Sequence, residues 1–74
     1  MEYSPFYEAL KQWTKSNNEI IKTVELYPAA AQIVTESGRT IKAYSSYKTI
    51  YKESYIYLME ILPDGKKKRI KKGG

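Results

Sequence analysis

The sequence contains no cysteine and no histidine. The first absence removes disulfide staples, thiolate metal ligands and cysteine nucleophiles. The second removes the commonest general base and the commonest zinc ligand. No apolar run approaches the roughly 18 residues of a membrane span. The opening Met1-Glu2-Tyr3-Ser4-Pro5 has neither a basic stretch nor an apolar one, so no secretory signal is expected. Ser37 and the Ser45-Ser46 pair lack a G-x-S-x-G context, and no glycine-rich phosphate loop is present. The carboxylates are scattered: Glu25 and Glu36 flank separate segments, and Glu53 and Glu60 are seven residues apart. None makes an acid/base pair by spacing, and solvated surface charge accounts for them. The expectation is a non-enzymatic, soluble, cytoplasmic protein without metal or cofactor.

With 74 residues the chain is read as a single small domain, 1–74. A chain of that length buries only about 60% of the surface its unfolded form exposes, so its core is thin. What it has for packing is aromatic: eight tyrosines, one tryptophan and one phenylalanine. Each ring buries a large area.

The net charge of +5 is unevenly placed. Residues 66–72 read Lys-Lys-Lys-Arg-Ile-Lys-Lys, six cations without an acid, whereas the first 65 residues carry seven basic and eight acidic side chains. The body is therefore close to neutral, and the excess belongs to a basic C-terminal hairpin arm, 63–74.

Ser4-Pro5 is a helix start, because serine caps well and proline suits the first helical position. Phe6, Leu10 and Trp13 recur on one stripe, with Ala9 beside them, and Asn17-Asn18 can end the helix in left-handed geometry. The spacing predicts a helix over 5–17. The β-branched stretch 19–27 predicts a strand, with Ile20, Lys22, Val24 and Leu26 on one face and Ile21, Thr23, Glu25 and Tyr27 on the other. Pro28 ends it. Residues 28–37 read either as a short helix or, preferred here, as one arm of a hairpin turning at Glu36-Ser37-Gly38-Arg39 and returning along 40–44. Residues 48–53 form a charged connection or an irregular strand. Residues 55–62 are the clearest strand: Tyr55, Tyr57, Met59 and Ile61 line one face, and Ile56, Leu58, Glu60 and Leu62 line the other. Apolar on both faces, it belongs inside a sheet. Pro63-Asp64-Gly65-Lys66 is a turn, and the basic run returns beside this strand with Ile70 as its apolar anchor.

The fold class expected is α+β: an N-terminal helix packed on a small curled antiparallel sheet of four or five strands. A winged-helix-like arrangement follows instead if 28–37 is helical. The C-terminal Gly73-Gly74, together with 36–41, Lys52-Glu53-Ser54 and the apolar strand after them, resembles part of the second half of ubiquitin. The chain departs from that pattern by opening with a helix and by placing a basic hairpin before the diglycine. We read the likeness as coincidence.

The basic run is the sharpest functional signal. Lys66, Lys67, Lys68, Arg69, Lys71 and Lys72 could follow a phosphate backbone, releasing counterions at each contact. Tyr44, Tyr47, Tyr51, Tyr55 and Tyr57 interleave with Lys42, Lys48 and Lys52, and Tyr55 and Tyr57 are the candidate stacking platforms for unpaired bases. The tyrosines do not all fall on one face of the expected strands. The expected function is a small nucleic-acid-binding accessory or regulatory protein, for DNA or RNA. The alternative is a protein-binding module, such as an inhibitor or adaptor of a virus or mobile element. A homodimer is a further option.

Overall fold

In the computed structural model, which describes residues 4–48 and 53–70, Ser4 is extended and its Oγ accepts from the Tyr7 backbone N–H at 3.3 Å. That cap and Pro5 at the first helical position launch α1, Pro5–Ser16. Asn17 caps the far end, its side chain donating to the Trp13 carbonyl at 2.8 Å, and Asn18 takes the left-handed conformation with φ of 55°. The helix thus ends one residue earlier than its periodicity predicts, because Asn17 spends its amide on the cap.

Five strands follow in a meander: β1 (Ile21–Tyr27), β2 (Ala30–Thr35), β3 (Thr40–Lys48), β4 (Glu53–Ile61) and β5 (Lys67–Ile70). They form one antiparallel sheet in chain order. The α+β fold expected from the sequence is the fold observed, and within 28–37 the strand Ala30–Thr35 is the hairpin arm. The winged-helix alternative is excluded, since residues 30–35 are strand. Pro28-Ala29 makes the two-residue link between β1 and β2, with Tyr27 opposite Ala30. The next link is a three-residue loop, 36–38: Gly38 N–H donates to the Thr35 carbonyl at 2.9 Å and Thr35 N–H to the Arg39 carbonyl at 2.8 Å. The β4–β5 link repeats this plan, with Gly65 N–H donating to Leu62 at 2.9 Å and Leu62 N–H to Lys66 at 2.8 Å. Both loops place their glycine at positive φ, 91° and 88°, as a turn followed by a left-handed residue requires. Of residues 48–53, expected as a charged connection or an irregular strand, Lys48 ends β3 and Glu53 begins β4 opposite it, and 49–52 lie outside the described residues.

Alternation along the paired strands gives the sheet two unlike faces. On one, Ala31, Ile33, Ile41 and Ala43 are buried with Leu10 and Trp13 of α1, and Phe6, Ile21, Ile56, Leu58 and Ile70 pack around them. Ala31 pairs with Ala43 and Ile33 with Ile41. The small pair leaves room for the large side chains of the helix, and the isoleucines fill beside it. Thr35 is fully buried, and its hydroxyl is satisfied by the Arg39 N–H at 3.1 Å and Ser37 Oγ at 2.9 Å.

One face prediction fails at β1. The register shifts between Ile21 and Thr23, a β-bulge that reverses the alternation. Ile21 therefore joins the core on the face of Val24 and Leu26, while Ile20, expected to share that face, precedes the strand and is 67% exposed. No helix among the described residues is long and apolar enough to cross a membrane.

Candidate functional site

The face of the sheet turned away from α1 is covered by no described element. Its residues follow from the register. Tyr27 pairs with Ala30, which pairs with Tyr44, and Tyr44 pairs with Tyr57. Lys42 pairs with Met59, which pairs with Arg69, and Lys67 lies opposite Ile61. A period of two on neighbouring strands thus gathers tyrosines and cations from β1, β3, β4 and β5 onto one surface.

The side chains form a ladder across the strands. Lys42 Nζ lies 5.1 Å from the Tyr27 ring centre and 5.2 Å from that of Tyr44. Tyr44 stacks on Tyr57 with centroids 5.5 Å apart and planes 20° from parallel. Arg69 covers Tyr57 at 4.9 Å and reaches Tyr55 at 5.9 Å. Tyr55 and Tyr57 are 6.0 Å apart and tilted by 46°. Lys67 Nζ lies 5.6 Å from the Tyr44 centroid and donates to its hydroxyl at 3.5 Å. These distances suit cation–π attraction. Charge on this face is graded. Lys42, Lys67 and Arg69 lie on β3 and β5, and the acid among these residues is Glu25 on the outer strand β1. Tyr27 Oη donates to Glu25, and that hydrogen bond holds the Tyr27 pKa above its usual 10.0.

A second charged cluster lies on the helix side. Arg39 forks onto Glu60, Nε to Oε2 at 3.0 Å and Nη2 to Oε1 at 2.7 Å, and its Nη1 reaches Glu19 at 3.3 Å. The guanidinium also lies 4.9 Å from the Trp13 ring centre. The hydrogen bonds from Arg39 hold the Glu60 pKa below its ordinary 4.5 and raise that of Arg39. Arg39 and Glu60 also line a shallow cleft between the two three-residue loops. They satisfy each other there, so this cluster reads as a structural clamp.

The residues singled out from the sequence are thus divided. Tyr55, Tyr57, Lys67 and Arg69 come together on the open face. Lys68 points to the opposite face, where it pairs with Glu60 across β4 and β5 and helps depress that carboxyl. Lys66 is in the turn, its N–H donating to Asp64 Oδ1 at 3.0 Å. Lys71 and Lys72 lie outside the described residues, as does Tyr51. Of the interleaved tyrosines, Tyr44 shares the face of Tyr55 and Tyr57. The ladder also takes in Lys42, one of the cations interleaved with the tyrosines in the sequence, and Tyr27, which the sequence reading did not single out. The signal for Tyr27 was the hairpin register, which follows once residues 28–37 are read as a strand.

No protein-family model matches this chain, and no curated protein and no solved structure matches it either.

Proposed function

We propose that this chain is a non-enzymatic nucleic-acid-binding protein that uses the open sheet face. One observation carries the reading: Lys42, Lys67 and Arg69 are interleaved with Tyr44, Tyr55 and Tyr57 on a surface that no described element covers. Cations attract the phosphate backbone, and rings offer π-faces to bases. The basic run takes part through its alternate members, Lys67 and Arg69, because β5 is a strand of the sheet. The test is a mobility shift at low salt with Lys67→Ala/Arg69→Ala against Lys11→Ala/Lys15→Ala, which removes equal charge from the helix. The first variant should lose at least about tenfold in affinity, and the second should bind nearly as the parent does. Equal affinities in all three would sink the proposal.

A protein partner is the second reading, and β1 favours it. Val24 and Leu26 are 41% and 55% exposed, and β1 is an outer strand of the sheet. Such an edge can accept a partner strand. A complex that persists in moderate salt and fails with Leu26→Glu would favour this reading over the first.

A further inference from the structure

Resting on the nucleic-acid reading of the open face, we infer that its occupant is a single strand, not a duplex. In this arrangement the strand lies across β3, β4 and β5, with bases on the rings of Tyr44, Tyr55 and Tyr57 and phosphates on Lys42, Lys67 and Arg69.

The dimensions of the sheet argue against a duplex. Neighbouring strands are ~4.8 Å apart, so five of them span roughly 19 Å. The major groove is ~12 Å wide and admits a helix or a two-stranded ribbon, and the minor groove is narrower still. A five-stranded face enters neither groove of an undistorted duplex, so its tyrosines would have no base faces to stack on. An unpaired strand has no such limit, because its bases can be turned onto the sheet.

The ring geometry sets where bases go. Tyr44 and Tyr57 have centroids 5.5 Å apart and are already stacked. A base inserted between two planes needs roughly twice the 3.4 Å stacking repeat of nucleic acid, so the pair opens no slot. Bases stack instead on ring surfaces now shared with Lys42, Lys67 and Arg69. Binding is then an exchange. A cation leaves a ring for a phosphate, and a base takes the ring. Exposed cation–π contacts are weak beside base–aromatic stacking, so the exchange is favourable. The cations meanwhile keep the free face solvated.

Charge sets the boundary. Glu25 lies on the same face at β1, hydrogen-bonded by Tyr27. Its carboxylate repels phosphates, so the strand ends short of β1 and Tyr27 is outside the footprint.

The test is fluorescence anisotropy of the full chain at low salt with two labelled probes, a 12-nucleotide oligothymidylate and a 12-base-pair mixed-sequence duplex. The single strand should bind at least tenfold tighter. Tyr57→Ala should weaken its binding by about tenfold, Tyr57→Phe should restore it, and Tyr7→Ala, on the helix, should leave it unchanged, each variant being checked for folding by the fluorescence of Trp13. A duplex that binds as well as the single strand, or a folded Tyr57→Ala that binds both probes like the parent, overturns the inference and leaves the nucleic-acid reading standing. A folded parent chain that binds neither probe overturns both.

Discussion

Arg39 does more for this fold than its surface position suggests. It ties three parts of the chain together: Glu19 after the helix, Glu60 on β4, and the Trp13 ring from α1. The Glu60 side chain is only 16% exposed. The contrast is Lys11 with Glu8, at 3.5 Å and nearly half exposed on both sides. An exposed pair of that kind contributes little, whereas a bidentate, partly buried fork is worth about 1.5–3 kcal/mol. Arg39→Ala should therefore destabilise the protein by about 1–3 kcal/mol near neutral pH in urea unfolding followed by Trp13 fluorescence. The loss has a pH signature. Glu60 titrates below its ordinary 4.5 in the folded chain, so the stability it contributes is complete above that value and is lost as pH falls through the lowered one. The gap between parent and Arg39→Ala should shrink as the pH is lowered from 5 towards 3. A gap of constant size across that range would mean that Arg39 acts through packing on Trp13 and not through Glu60.

At the level of elements, the loops are the clearest translation of sequence into backbone. Gly38 and Gly65 close loops of the same plan, and neither would bring an added Cβ within 4 Å of another atom. An alanine there meets no clash, only the cost of a left-handed backbone, about 1–2 kcal/mol. Gly65→Ala should lower Tm by roughly 4–8 °C per kcal/mol for a domain of this size. Gly65→Asn should lower it less, because asparagine tolerates that geometry. Equal melting of all three proteins would contradict the assignment of the turn. The same local rules made the helix cap, the Phe6-Leu10-Trp13 stripe and the two-faced strand, expected at 55–62 and observed as Glu53–Ile61, legible beforehand. The β1 bulge was not, since nothing in Ile20-Ile21-Lys22 says which isoleucine faces inward until β2 sets the register. The open face was hidden for a related reason. Tyr27 and Tyr44 are far apart in sequence, and each reads alone as an ordinary strand residue. They become one surface only when two hairpins are placed in register.

For the whole molecule, the question is whether the excess charge acts as a tail or as part of a folded surface. Six cations in 66–72 suggest a separable arm. The sheet divides them: Lys67 and Arg69 join the tyrosines, Lys68 turns towards Glu60, and Ile70 packs against the core. The two descriptions differ measurably through counterion release, since affinity for a single strand falls with a log–log slope of about −0.7 per phosphate neutralised. Binding by the three cations of the open face gives a slope of about −2, and binding by the whole run gives about −4. Titrating the full chain with an oligothymidylate between 50 and 300 mM salt separates the two. The face predicts the shallower slope, falling to about −0.7 in Lys67→Ala/Arg69→Ala, where Lys42 alone remains. A slope near −4 that drops when Lys71 and Lys72 are replaced would show that the run acts as a flexible polycation and that the tyrosine ladder serves only to cover the sheet.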